Sequence, residues 1–163
     1  MKKSFLVVLI GILAASTAWG AQITINATVT SKLIVDVDAA TWTITLDNEG
    51  GAILNDTQGV LTVKASKSNY TVTFQSAHSG VLLNGTESIP YLIKVDTSGW
   101  TDGVQTNTLS SYTQLTTSKT IVFKKKTPTT GKTFNIGFNI AAYTEYYVDG
   151  AYSDTLTISI AAP

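Results

Sequence analysis

Apolar and polar side chains alternate one by one along most of this sequence, and this period of two constrains the fold more than any other feature. The alternating runs are rich in Thr, Val, Ile and Tyr, which favour the pleated, partly buried surface of a β-strand. The most regular run extends from Phe134 to Ile140. No segment shows the spacing of an amphipathic helix. The pattern therefore predicts an all-β protein.

About nine short strands are predicted, separated by turn signals every ~8–15 residues. Their apolar stripes lie at Ile23–Val29, Leu33–Val37, Trp42–Leu46, Leu61–Ala65, Tyr70–Phe74, Tyr91–Val95, Ile121–Phe123, Phe134–Ile140 and Tyr152–Ile160. Pro90 suits the first position of a strand, which places it at the start of the sixth run. Residues 97–119 predict a long loop anchored by Trp100, Leu109 and Leu115. Many short strands without helices predict a β-sandwich.

Composition and charge disfavour several classes of function. The 163 residues include 11 Lys, no Arg, 11 acidic residues, one His and no Cys. Without Cys there is no disulfide, no thiolate nucleophile and no Cys-based metal centre, and one His excludes a multi-His site. A chain without Arg and without net positive charge lacks the electrostatic footprint for nucleic acid or for an anionic membrane. We therefore expect no cofactor, no metal and no nucleic-acid partner.

Residues 1–20 have the pattern of a secretory signal peptide. Lys2 and Lys3 precede an apolar run from Phe5 to Ala15, and Ala18 and Gly20 are the small residues before a cleavage site. The run is shorter than the ~20 apolar residues that cross a bilayer, so we expect export without membrane insertion. Cleavage after Gly20 leaves nine Lys against eleven acids, a net charge of −2.

Two polar segments contain residue types that could form a catalytic or a metal site. His78 lies in a polar turn and no Gly-x-Ser-x-Gly nucleophile elbow is present, which favours a solvated loop residue over a Ser–His–Asp triad. Asp47, Glu49 and Asp56 carry oxygen ligands suited to Ca²⁺, but their spacing matches no calcium-loop signature. An acidic turn facing water is the favoured interpretation, so no enzyme activity is expected.

The first apolar stripe suits addition to another chain. An exposed strand edge is a template for pairing, and alternate side chains of an added strand fill pockets along it. Such knobs are presented on one face by Ile23, Ile25, Ala27 and Val29. A head-to-tail contact of this kind builds open filaments. The alternative is that this strand pairs within its own chain and closes a monomeric sandwich.

The chain resembles the subunits of chaperone–usher pili and looks closest to the colonization-factor class of fimbrial major subunits. The resemblance is carried by Ile23–Val29 continuing into Leu33–Val37, and by Gly150–Ile160, which looks like the closing strand of these families. The stretch from Tyr70 to Tyr91 is loosely similar to spore-coat-U-like secreted domains. The final Ala161-Ala162-Pro163 departs from the Tyr that often sits near the C-terminus of the best-known subunits.

The resemblance implies an immunoglobulin-like sandwich over residues 31–163 that lacks its final strand, preceded by a donor-strand extension at 21–30. A periplasmic chaperone would fill the vacant groove first, and a neighbour's extension would replace it at an outer-membrane usher. The product would be a surface fimbria serving cell adhesion. The donor side chains would be Ile23, Ile25, Ala27 and Val29, and the strand bordering the groove would carry Tyr152, Leu156, Ile158 and Ile160.

Two other classes of function stay open at this point. A secreted monomeric module binding carbohydrate would use aromatic stacking platforms, for which the candidates are Trp42, Trp100, Tyr143, Tyr146 and Tyr147. A secreted hydrolase would depend on His78.

Overall fold

The computed structural model describes residues 24–163, which form ten β-strands and one 3-10 turn. The strands are β1 Leu33–Val37, β2 Ile53–Ala65, β3 Tyr70–Ser76, β4 Val81–Asn84, β5 Glu87–Pro90, β6 Leu92–Asp96, β7 Val104–Asn107, β8 Lys119–Phe123, β9 Lys132–Ile140 and β10 Leu156–Ala161. The predicted signal peptide and Ile23 lie outside the described residues. Within residues 24–163, no helix has the length and apolarity needed to cross a membrane.

Two four-stranded antiparallel sheets form the body. One has the strand order β1-β2-β9-β6, the other has the order β10-β3-β8-β7, and β4 and β5 form a separate hairpin. The chain passes from one sheet to the other at the corner after β2, where Asn69 adopts a left-handed φ of 58°. The predicted all-β sandwich is confirmed.

The core lies between the two sheets and follows the alternation in the sequence. Val72 and Phe74 in β3 are 0% exposed, whereas Thr73 between them is only partly buried. Phe123 in β8 and Phe134 in β9 meet across the sandwich with ring centroids 5.6 Å apart. Each such side chain stabilises the fold by ~1.5–3 kcal/mol when fully buried. This shared apolar layer joins the sheets without any disulfide.

The loop after β6 supplies a further part of the core and covers one sheet edge. The predicted anchors Trp100, Leu109 and Leu115 are all buried. Ile93 in β6 and Thr113 exchange two backbone hydrogen bonds, of 3.0 and 2.9 Å. The outer edge of β6 is therefore occupied by the chain's own loop. The loop also contains β7, a short edge strand at the far side of the second sheet.

The structure differs from the predicted strands in the hairpin of β4 and β5. This hairpin was not predicted, although Asn84-Gly85 is a typical hairpin signal and Gly85 has a φ of 62°. Pro90 ends β5 instead of starting β6, so its expected position was wrong. Pro90 lies in a two-stranded hairpin with an open edge, where its missing N–H costs no ladder hydrogen bond.

Two predicted strands are absent as strands among the described residues. The segment 41–47 alternates partly buried and exposed side chains but has no assigned ladder partner, and neither do residues 24–32. The last strand begins at Leu156 and not at Tyr152. The chain before it makes an isolated bridge from Ser153 to Leu83, and the Thr155 carbonyl accepts a single bond from the Ala77 N–H at 2.9 Å. Alternation in the sequence indicates which face of a segment is apolar. It does not indicate whether another segment lies beside it to form the hydrogen bonds of a ladder.

Candidate functional site: a groove between β1 and β10

An open groove of about 1190 Å³ runs along the side of the sandwich where β1 and β10 meet. β1 is the edge strand of one sheet, β10 is the edge strand of the other, and the two lie against each other. One wall consists of β1 and the extended segment 41–47, and the other of residues 147–156 and Ile158. β1 and β10 each turn an outer edge toward the groove, and neither edge has a strand partner within residues 24–163.

The β1 wall presents apolar side chains that are only partly covered. Val35 and Val37 turn into the groove, and the segment 41–47 continues this stripe with Trp42, Ile44 and Leu46. In contrast, Leu61 and Val63 in the adjacent β2 are 0% exposed. The apolar layer is thus complete in the middle of the sandwich and incomplete at this edge.

The β10 wall has the same character. Leu156 and Ile158 line the groove together with Tyr152, whose hydroxyl donates to the Val148 carbonyl at 2.9 Å. Ile160 shares their face and is partly buried, but it lies beyond the residues that line the groove. The structure thus brings three of the four residues predicted for this wall to the groove itself.

A buried carboxylate fixes the chain just before β10. The Asp154 side chain is 3% exposed and accepts hydrogen bonds from the Ser76 hydroxyl at 2.5 Å and the Tyr91 hydroxyl at 2.6 Å. His78 approaches the same carboxylate through Nδ1 at 3.2 Å and donates to it from its backbone N–H at 3.1 Å. Burial, together with the hydrogen bond to Asp154, raises the pKa of Tyr91. This cluster was not predicted, because its members are separated by up to 78 positions in the sequence.

The arrangement of Ser76, His78 and Asp154 is not that of a catalytic triad. In a triad, the serine hydroxyl donates a hydrogen bond to one ring nitrogen of the histidine, and the other ring N–H donates a hydrogen bond to the carboxylate. Here the Ser76 hydroxyl donates to Asp154 directly and accepts from the backbone N–H groups of His78 and Gly80, at 3.1 and 2.7 Å. These bonds favour a structural clamp over a nucleophile.

The acidic residues considered for calcium do not converge. Asp47 accepts a bond from the Glu49 backbone N–H at 3.0 Å, which closes a local turn. Asp56 accepts from the Lys94 ammonium at 2.7 Å and from the Tyr112 hydroxyl at 2.9 Å, and these two bonds hold the pKa of Asp56 below its ordinary value. Among residues 24–163, no group of three or more His, Cys, Asp or Glu side chains is placed to share a metal ion.

The predicted donor segment lies in the open. Residues 24–32 form no strand, and Ile25 and Val29 are 87% and 89% exposed. Ala27 is exposed as well. The segment joins the body at Lys32, whose backbone N–H and carbonyl are hydrogen-bonded to Ser66 at 2.7 and 2.8 Å. Large apolar side chains are rarely left this exposed in a row without a partner that covers them.

The aromatic residues proposed as stacking platforms do not form one surface. Trp100 is only 9% exposed and stacks on Phe123 and Phe134, so its use as a platform was wrong. Trp42 packs over Gly59, where an added Cβ would lie 2.6 Å from the indole ring. The freely exposed aromatic side chain in this set is Tyr146, at 85%.

Comparison with known proteins identifies no family, since no protein-family model and no curated protein matches this chain. The evidence for function therefore comes from the groove and from the segment beside it.

Proposed function

We propose that this protein is the structural subunit of a surface pilus or fimbria that polymerises by strand addition and serves cell adhesion. The observation that carries the proposal is the apolar groove between two open strand edges, in a chain whose own N-terminal segment is apolar on one face and exposed. In a polymer, the segment of one copy would fill the groove of the next. Ile23, Ile25, Ala27 and Val29 would face inward, between β1 and β10.

The dimensions of the two parts agree. A strand rises ~3.3 Å per residue, so residues 23–29 extend over ~23 Å, and residues 152–158 along the groove wall extend over the same ~23 Å. The groove wall is thus long enough to pair with the whole segment. The side chains that the segment would cover are the partly buried ones, including Val35, Leu156 and Ile158.

The energies require both apolar contacts and backbone pairing. Burial of three large side chains yields ~5–9 kcal/mol at ~1.5–3 kcal/mol each. Association of two molecules costs ~4–15 kcal/mol, which is of similar size. The hydrogen bonds of the new ladder, at ~0.5–1.5 kcal/mol each, then decide whether the joint is durable. A strand with both contributions would dissociate slowly.

The resemblance described above supplies the remaining parts of the proposal. The body would be an immunoglobulin-like sandwich without its final strand, exported to the periplasm with the help of residues 1–20. A chaperone would occupy the groove before an usher passes the subunit to the growing fibre at the cell surface. The absence of a disulfide is compatible with this role, because the colonization-factor class lacks it too.

Deletion of residues 21–30 tests the proposal. The truncated chain is expected to stay monomeric in size-exclusion chromatography with light scattering, to retain its folded body, and to bind a peptide of residues 22–30. Polymers of normal length from the truncated chain would refute strand donation. Ile25→Asp and Val29→Asp should block polymerisation in the full chain. Asn26→Asp and Thr28→Asp introduce the same charge on the opposite face of the segment and serve as matched controls.

The alternative, a monomeric binding module for carbohydrate, predicts a different result. The full secreted chain would elute as a monomer at all concentrations, and Tyr146→Ala would weaken its binding to a glycan. The exposure of Tyr146 is compatible with such a platform. Heat-sensitive ladders of oligomers on a gel would exclude this alternative.

A further inference from the structure

The end of the sandwich from which the N-terminal segment departs is basic. The start of β1, the corner between β2 and β3, and the C-terminal ends of β8 and β10 meet here, as the pairings of Leu33 with Ala65 and of Tyr70 with Phe123 show. We call this the basic end, and it carries Lys32, Lys64, Lys67, Lys124, Lys125, Lys126 and Lys132. Acids also lie in the neighbouring strands and loops, at Asp36 in β1, Asp96 in β6 and Asp102, and Asp102 is paired with Lys125 at 2.6 Å.

The opposite end is acidic. The turn at 47–51, the loop 141–150 and the tip of the β4–β5 hairpin lie together there, as a 3.1 Å backbone bond from Tyr143 to Gly50 and the bridge from Leu83 to Ser153 show. This acidic end carries the exposed side chains of Asp47, Glu49, Glu87, Glu145 and Asp149. Within residues 24–163 none of these five forms an ion pair. The lysines in the strands that reach this end are Lys119, at the start of β8, and Lys94 in β6, which is paired with Asp56 at 2.7 Å.

We propose that the basic end of one copy docks on the acidic end of the next, as a second contact beside the strand in the groove. This inference rests on the proposed function, since it takes the occupant of the groove to be another copy of this chain. The donated segment leaves its own body at Lys32, in the basic end, and the groove reaches the acidic end at residues 147–150. With the donor body at that end, unlike charges meet at every joint.

The reverse orientation would place like charges together. A donor body seated at the basic end of the acceptor would bring Lys32 and Lys67 of one copy toward the lysines after β8 of the other. Five exposed acids would then face solvent with no partner. Complementary ends therefore select the direction in which the strand enters, and the same choice at each joint gives a head-to-tail fibre.

The acidic end also offers an apolar centre for such a contact. Tyr146 and Val148 are 85% and 55% exposed in the loop 141–150, between Glu145 and Asp149. Exposed apolar side chains rimmed by charges are typical of a protein-binding surface. Exposed charges act over a Debye length of ~8 Å at physiological salt, so their main effect is on the association rate and the orientation.

Charge reversal at the two ends tests the inference in the full secreted chain. Lys124→Glu with Lys126→Glu, and separately Glu145→Lys with Asp149→Lys, should each slow polymerisation by about tenfold at low salt, followed by light scattering. All four substitutions in one chain restore complementarity and should return the rate toward that of the parent. The differences should vanish at high NaCl. Ser110→Glu with Ser111→Glu, at exposed positions in the loop over β6, changes the net charge by −2. Lys124→Gln with Lys126→Gln changes it by the same amount at the basic end, so this pair of variants controls for net charge.

The outcomes separate the two proposals. The end-to-end contact is refuted if both reversed variants polymerise at the parental rate, or if the variant with all four substitutions polymerises no faster than either of them. In that case, loss of polymer on deletion of residues 21–30 would still support strand donation. Polymer from the deleted chain refutes both. A lowered urea midpoint would show that a charge reversal destabilises the fold. The neutral substitutions Lys124→Gln with Lys126→Gln are then tested instead, and assembly that they do not slow at low salt refutes the contact.

Discussion

Replacement of Asp154 by Asn is expected to destabilise the chain strongly, although it changes only one atom of the side chain. The buried carboxylate accepts hydrogen bonds from Ser76, Tyr91, His78 and the backbone N–H of Thr155. The amide keeps one acceptor oxygen, and its NH2 group takes the place of the other. The Ser76 hydroxyl already accepts from two backbone N–H groups, and the Tyr91 hydroxyl would be left without an acceptor for its proton. Hydrogen bonds to a charged group contribute ~1.5–3 kcal/mol each, so the loss of two gives ~3–6 kcal/mol. That is a large part of the ~5–15 kcal/mol by which such domains are stable.

Urea unfolding followed by tryptophan fluorescence measures this effect. With a slope of at most ~3 kcal/mol per molar urea, a loss of ~3 kcal/mol or more should lower the midpoint by at least ~1 M. Asp102→Asn is the matched control, because its carboxylate is exposed and pairs with Lys125 at the surface. It should leave the midpoint essentially unchanged. Equal midpoints for Asp154→Asn and the parent chain would show that the carboxylate does not stabilise the contact of the chain before β10 with the end of β3 and with Tyr91.

Two further predictions concern ionisable groups. Tyr70→Phe should stabilise the protein by ~1 kcal/mol at neutral pH, because the buried Tyr70 hydroxyl has no hydrogen-bond partner among the described residues. Burial raises the pKa of Tyr70 to about 12, so the parent should lose stability as the pH rises from 10 toward 12, and the variant should lose less. Denaturant midpoints measured at alkaline pH check both expectations. Equal losses of stability in the two chains would contradict them. The pKa of Asp56 is lowered from 3.8, first by its bond from Lys94 and then by that from Tyr112, so its contribution is present above pH ~4 and disappears as the pH falls through the lowered pKa. Asp56→Asn should flatten this acid dependence of the urea midpoint between pH 2 and 6, and an unchanged slope would refute the assignment.

The alternation in the sequence predicted a strand correctly where another segment of the chain pairs with the run. Phe134–Ile140 became β9, which lies between β2 and β6, and the stripe at Tyr70–Phe74 became β3, between β10 and β8. The stripe at Trp42–Leu46 has the same period, yet its backbone has no ladder partner. Side-chain periodicity records burial of one face, whereas a ladder depends on the place of another segment of the chain.

The candidate site could be predicted only in part. The apolar faces of Leu33–Val37 and Leu156–Ile160 were evident from the sequence, and these are the strands that border the groove. The clamp at Asp154 was not, because hydrogen bonds spanning 63 to 78 positions leave no local pattern. The charged ends were equally hidden, since their lysines and acids are scattered along the sequence and only the strand register gathers them.

The loop that covers β6 has a consequence for misassembly. Since Thr113 already occupies the outer side of Ile93, a foreign peptide cannot extend that sheet there, and β7 offers a template of only four residues. Aggregation seeded by partly unfolded chains should therefore begin by strand pairing at the open edges of β1 and β10, and not at the covered edge of β6. A small molecule bound between these two strands would block the addition of a further strand, both in an ordered fibre and in a disordered aggregate.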